Sequence, residues 1–309
     1  MLFWLVVLLV VTLVGVAAWQ WFAQGRRRVV RTRLAQEALQ TQNETVMVCL
    51  RCVGHDGQAV VSCIADALSK AASPLRLRFA VAQQQAPVDV YELFLQKTRE
   101  PQFQDLNLAD KLRTANLVHP DGYMHAFATW QQLYDGERVV VCADAWNVWE
   151  QGWDTRVVDL LRNLQATGTG GFPVASAPDA NQFCIVQRAP AHQREWPVVK
   201  GRPFAFESSH ATANVAVHHH FLAMPGASFA HLPPPDQSVP RYVASTVLSD
   251  FLLRNGASFY TVPKKVFHRA RFPQDVAHEA ERPQRWQRRL VLSRAFADFA
   301  GIRLPRPLD

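Results

Sequence analysis

Short apolar runs alternate with amphipathic stretches of about a dozen residues along most of this chain. Val46–Arg51 (VMVCLR) is a continuous apolar run of strand length. From Ala59 to Ala72, apolar side chains recur at helical spacing (Val60, Val61, Ile64, Ala67, Leu68, Ala71). Ser73-Pro74 ends that pattern and Leu77–Ala82 resumes a strand-like run. Strand, helix and strand at this length require a right-handed crossover, which predicts a parallel pair. Tyr123–Tyr134 reads as another helix, feeding Arg138–Ala143 through the turn-forming Asp135-Gly136. Val139-Val140-Val141-Cys142-Ala143 offers no polar face, which predicts a strand covered on both sides. Helical spacing returns from Asp154 (Val157, Val158, Leu160, Leu161, Leu164). Later come three shorter strand candidates, Phe183–Gln187, Asn214–Met224 and Ala257–Val262, and a helix over Arg241–Asn255 closed by Gly256. Gln83–Asn107 is polar and poorly periodic, and Ala166–Pro178 (ATGTGGFPVASAP) reads as a loop. The predicted class is α/β, with a mostly parallel central sheet flanked by helices.

The first residues break this alternation. Leu2–Phe22 is almost unbroken Leu, Val, Phe, Trp and Ala, and roughly 20 apolar residues span a bilayer core. No basic side chain precedes the run and it exceeds a signal-peptide core, so an uncleaved transmembrane helix over residues 1–23 is expected. Trp19, Trp21 and Phe22 stand where an interfacial aromatic belt would lie. Residues 24–45 form a basic juxtamembrane stem, in which Arg26, Arg27, Arg28, Arg31 and Arg33 are expected to meet anionic lipid. The positive-inside rule places this cluster, and the domain behind it, in the cytoplasm. A Golgi or ER lumen is the alternative, and only there would the sequon Asn43-Glu44-Thr45 matter. Residues 276–309 read as a basic C-terminal helix and tail.

The net charge of +7 comes largely from these two basic segments. No nucleic-acid motif with interleaved aromatics accompanies them, so nucleic acid is not an expected partner. Cys49 and Cys52 form a C-x-x-C, but they lie within an apolar run and lack a second pair, which makes them core residues.

Candidate chemistry begins at Asp144. A carboxylate at the carboxyl end of a buried strand stands where open α/β sheets place their ligands. The alternative is a turn cap. Trp146, Trp149 and Trp153 follow it, and Trp146 and Trp149 could stack on an apolar ligand face or fill the core. Asp154 reads as a helix N-cap. His218-His219-His220 is the most conspicuous cluster; in a strand, His218 and His220 share a face and His219 takes the other, so at most two approach one ion.

The order of these motifs resembles the GT-A glycosyltransferases of the polypeptide N-acetylglucosaminyltransferase type, glycosyltransferase family 60. VMVCLRCVGHDGQAVVSCIADALSKAASPLRLRFAVAQQ is similar to the family's opening strand, charged loop, helix and basic strand. YDGERVVVCADAWNVWEQGWDTRVVDLL follows its turn, central strand, metal motif and helix start, with Asp144-Ala145-Trp146 at the Asp-x-His position. LPPPDQSVPRYVASTVLSDFLLRNGASFYTVPKKVFH is similar to its late turn, helix, strand and metal-binding His268. Two departures stand out: Trp146 occupies the second ligand position, and Val243-Ala244-Ser245 replaces an acidic pair.

The resemblance implies a GT-A (Rossmann-like) domain over residues 46–275 that moves a sugar, N-acetylglucosamine by analogy, from a nucleotide sugar to a protein hydroxyl. It implies a divalent cation, Mn²⁺ or Mg²⁺, held by Asp144 and His268. Asp56 is expected at the nucleotide ribose or base and Trp146 beside the cofactor, while Asp250 is a candidate replacement for the lost acidic pair. The alternative keeps the fold without catalysis, as a degenerate binding or scaffold protein at a membrane.

Overall fold

The computed structural model describes residues 44–54, 56–84, 86, 88–103, 106, 108–117, 123–167, 171–178, 182–188, 197–203, 211–235, 241–262 and 266–269. The expected membrane helix, the basic stem, the lipid-facing arginines and the C-terminal tail lie outside the described residues. Among the described residues, no helix is long and apolar enough to cross a membrane.

A seven-stranded sheet organises the domain. β1 (Val46–Val53) and β2 (Leu77–Gln84) are joined by α1 (Gly57–Lys70) and pair in parallel, as their spacing predicts. β3 (Leu112–Asn116) extends the sheet in parallel beyond β2. On the other side of β1 lies β4 (Val139–Ala143), with Val46 opposite Val139 and Leu50 opposite Ala143. β9 (Phe221–Pro225) runs antiparallel between β4 and β6 (Phe172–Ser176), and β10 (Ala257–Thr261) closes that side in parallel with β6. β4 is therefore interior, and all five of its residues are buried.

Helices cover both faces because the strands are apolar on both. Val46, Val48, Leu50 and Cys52 point into one core with α1, α2 (Val90–Thr98) and α4 (Trp153–Ala166). Met47 and Cys49 point into the other, with α3 (Tyr123–Leu133), α5 (Gly226–His231) and α6 (Arg241–Arg254). Cys49 and Cys52 thus lie on opposite faces, and burial pushes the Cys52 thiol up to about 11. Packed within the sheet, they are core.

Four corrections concern elements. Ala166–Pro178 is not all loop: Phe172–Ser176 within it forms β6, whose Gly- and Pro-rich flanks hide a short apolar strand. Gln83–Asn107 contains α2, whose short apolar stripe buries Val90 and Phe94 and whose first turn is capped by Asp89 through the Tyr91 amide (3.0 Å). Asn214–Met224 is not one strand: only Phe221–Met224 of it lies in β9, and a turn precedes. β7 (Gln182–Arg188) pairs with β8 (Pro197–Pro203), a strand whose Pro, Gly, Lys and Arg hide it from an apolar count.

A further correction concerns Asp154. Gly152, at φ +71°, occupies the position before α4, and Asp154 is fully buried inside its first turn. Its carboxylate accepts from the amides of Ala72 (2.7 Å) and Ser73 (3.0 Å) and from Arg76 Nε (2.9 Å). It is a structural ion pair that fastens α4 to the loop between α1 and β2.

Candidate functional site

The site is built at the carboxyl end of β4. Asp144 leaves the sheet there and starts a turn, its Oδ1 accepting the Trp146 amide at 3.2 Å. Its own amide donates to the His220 carbonyl at 3.0 Å, and its carbonyl takes the Asn147 amide at 3.1 Å. Cys63, from α1, donates to that same carbonyl at 3.8 Å and accepts the Trp149 indole N–H at 3.3 Å. Burial raises its thiol to about 12, so it packs as a neutral group. Beyond the turn, β5 (Asn147–Trp149) pairs antiparallel with β11 (Phe267–Arg269), and His268 stands opposite Val148. The topology thus returns the late histidine strand to the segment that follows Asp144.

The two candidate imidazole sources differ. His268 is half exposed, and its Nδ1 lies 3.3 Å from Glu150 Oε1. His220 Nε2, in contrast, lies 3.9 Å from Asp144 Oδ2, with both side chains about nine-tenths buried (12% and 10% exposed). A neighbouring imidazole was legible in the sequence only as a strand position. The structure makes it part of a turn, closed by the Phe221 amide donating to the His218 carbonyl at 3.3 Å. All three histidine rings come together there, which overturns the two-at-most expectation.

Hydroxyls hold this turn in place. Ser176, at the end of β6, accepts the His218 amide (2.8 Å) and donates to the Phe221 carbonyl (2.7 Å). Ser245 and Ser249, on α6, accept the amides of His219 (3.0 Å) and Val217 (2.9 Å). Ser245 stands where the resemblance places an acidic residue, so the substitution there serves the histidine turn. Its role was not foreseen, nor was that of Asn147, whose side-chain amide donates to the His220 carbonyl at 2.8 Å.

The remaining candidates divide. Asp56 sits directly before α1 at the end of β1, on the same sheet edge as Asp144, and its side chain makes no capping hydrogen bond. Trp146 is partly exposed beside Asp144. Trp149 and Trp153 are fully buried with ring centroids 4.1 Å apart, so they are core and not a sugar platform. Asp250 is 1% exposed in α6 with Arg254 Nη2 3.1 Å from its carboxylate, which makes it a poor base for an acceptor arriving from solvent. A cavity of about 320 Å³ lined by Phe172, Ala227, His231 and Asn255 lies at the opposite end of the sheet, beside the start of β6, away from this chemistry.

No protein-family model matches the chain, and no curated protein sequence does. Solved structures do match. The chain is similar to the crystal structure of GalNAc-T7 with UDP, GalNAc and Mn²⁺, at 11% identity and a TM-score of 0.53, over 74% of this chain and 44% of that one. The fold is GT-A. Similarity to residues 1–349 of S. aureus TarS is weaker, at 9% identity and a TM-score of 0.48, over 72% of this chain and 59% of that one. A mannosyltransferase from Pyrobaculum calidifontis in complex with GDP-Man and Mn²⁺ matches at 15% identity and 0.44, over 71% and 56%. The chain spans under two thirds of the length of each of these glycosyltransferases.

Proposed function

We propose that this chain is a metal-assisted glycosyltransferase that moves a sugar from a nucleotide sugar to an acceptor hydroxyl. One observation carries the reading: in a GT-A fold, the carboxylate at the end of the central strand, Asp144, has an imidazole nitrogen 3.9 Å away. Oxygen and imidazole donors at that separation fit a divalent ion such as Mn²⁺, which tolerates nitrogen better than Mg²⁺ does. GalNAc-T7 was crystallised with UDP and Mn²⁺, which supports the same ligand class here. The resemblance assigns the imidazole to His268; the geometry favours the histidine turn.

When bound, the ion acts as a Lewis acid that neutralises charge on the departing nucleoside diphosphate. The residues of this chain orient and shield that site. Asp144 is held by its Asx-type turn, Asp56 is offered by the first loop to the nucleotide ribose or base, and Trp146 covers one side. No side chain is assigned as general base. In its finer form the reading adds a membrane anchor over residues 1–23, Arg26–Arg33 against lipid, a cytoplasmic domain, and N-acetylglucosamine transferred to a protein. These rest on the sequence pattern and the family resemblance.

Calorimetric titration of the full chain with Mn²⁺ and a panel of nucleotide sugars tests the proposal. At least one nucleotide sugar should bind in an ion-dependent way, and Asp144→Asn should weaken that binding about tenfold or more. Binding that ignores both the ion and the substitution would refute it. The degenerate reading is favoured by Trp146 at the second ligand position; it predicts the same binding with no sugar transferred to any acceptor.

A further inference from the structure

The histidine turn is the part of this site that the family resemblance leaves unaccounted for. Ring centroids are 4.7 Å apart for His218 and His219, 4.1 Å for His218 and His220, and 4.5 Å for His219 and His220. One ligand nitrogen from each ring lies within 4.8 Å of the others. Three imidazoles so close gain nothing from one another as bases, because protonating two would set like charges side by side.

The surrounding contacts orient the rings as metal ligands are oriented. His220 Nδ1 lies 3.2 Å from the Pro178 carbonyl, which can only accept, so that nitrogen carries the proton and Nε2 the lone pair. His219 Nδ1 meets the Ser245 hydroxyl at 2.7 Å, a contact compatible with the same tautomer. An N–H donated to a carbonyl or hydroxyl is the usual support of a coordinating imidazole, fixing its plane and raising its basicity. His218 Nδ1 accepts the His220 amide at 3.3 Å, a contact that an ion at that nitrogen would replace.

A second, independent observation points to a ligand. Two buried oxygens beside the cluster have no hydrogen-bond partner among the described residues. One is Asn147 Oδ1, on the residue whose Nδ2 holds the His220 carbonyl. The other is the Tyr123 hydroxyl, whose ring meets His219 edge-on at 5.5 Å. Buried polar atoms are rarely left unsatisfied, and ion-bound water would supply both with partners.

We propose that His218, His219 and His220 form a site, beside Asp144, for an imidazole-preferring divalent transition-metal ion, with Zn²⁺ and Co²⁺ bound more tightly than Mg²⁺. Three imidazole nitrogens are a donor set suited to these ions, whereas Mg²⁺ demands oxygen. A tetrahedral ion with bonds of 2.0–2.1 Å holds its ligands roughly 3.4 Å apart, so the rings close by about 1 Å on binding. The turn then supplies the ligands that Trp146 cannot. This deepens the glycosyltransferase reading and rests on it only for the ion's part in transfer; ion binding stands by itself.

The test uses the full chain, stripped with a chelator and titrated separately with Zn²⁺, Co²⁺ and Mg²⁺. One Zn²⁺ or Co²⁺ per chain is expected, bound at least about tenfold more tightly than Mg²⁺. His219→Ala and His220→Ala should each weaken Co²⁺ binding about tenfold or more, while His231→Ala, at the far end of the sheet, leaves it unchanged. X-ray absorption on the Zn²⁺-loaded wild-type protein needs no variant and should count three imidazoles. One imidazole or none, or binding lost in His268→Ala but kept in the turn variants, overturns the proposal. Intact ion binding with no nucleotide sugar bound supports this site and refutes the transferase reading alone.

Discussion

Asp154 and Asp144 lie ten residues apart at two ends of one short segment, and their surroundings are opposite. Asp154 is fully buried, with two backbone amides and the Arg76 guanidinium closing on its oxygens at 2.7–3.0 Å. A carboxylate satisfied in this way holds the fold together and has nothing left to offer a substrate. Asp144 stands at the sheet edge in a turn, with one amide at 3.2 Å and an imidazole at 3.9 Å. The distance leaves space for an ion between the two groups. A buried acid that backbone amides and a guanidinium hold is architecture; one at the carboxyl end of the central strand, 3.9 Å from an imidazole, is a candidate ligand.

Breaking the first half of this contrast should have the largest effect. Asp154→Ala leaves the Arg76 guanidinium buried without its carboxylate, and removing one partner of a buried pair costs about 3–5 kcal/mol. Urea unfolding should show a lower midpoint by that amount; a loss under about 1 kcal/mol would mean that the pair is not structural.

Lys111 sharpens the comparison from another side, because it is a buried cation that meets a carbonyl and another cation. Its ammonium donates to the Leu75 carbonyl at 2.6 Å, and burial, together with Arg78, lowers its pKa to about 8. The folded pKa lies below the unfolded value of about 10.4, so the unfolded chain binds more protons between those values. The penalty is therefore full below about pH 8 and fades as pH rises toward 10.4. Lys111→Met should stabilise the protein by about 1–2 kcal/mol at pH 7, and by progressively less toward pH 10. Arg78 also donates to the Leu75 carbonyl, so that acceptor stays satisfied. A gain that grows with pH would reverse the assignment.

The smallest stability change is expected at the site itself. Asp144→Asn keeps the shape of the side chain and its turn contact, and should alter unfolding free energy by under about 1 kcal/mol. A loss comparable to that of Asp154→Ala would make Asp144 a second structural acid.

Much of the core could be read from spacing. Continuous apolar runs marked β1 and β4, and a six-residue strand-like run on each side of an amphipathic α1 (Val46–Arg51 and Leu77–Ala82) implied the parallel pair. α2 escaped because it buries only Val90 and Phe94, although Asp89 before Val90 was a usable start signal. β3 escaped because Leu112 alone among its residues is fully buried: an edge strand has less need of apolar side chains. At the site, Asp144 was visible from its place after the central strand. The histidine turn was not, because period-two alternation was applied to a segment that Ser176, Ser245 and Ser249 hold as a turn.

By itself, the sequence determined the alternation of strand and helix, the buried central strand and the acid that ends it. These are local properties, written in the period of apolar residues over a window of ten or so. Only the tertiary structure decided that Arg76 reaches Asp154 from 78 residues away, that three histidines converge with His220 beside Asp144, and that Trp149 and Trp153 are core. The reason is physical. A charge or an imidazole acquires its role from the groups the fold brings within a few ångströms, and chain spacing does not encode those partners.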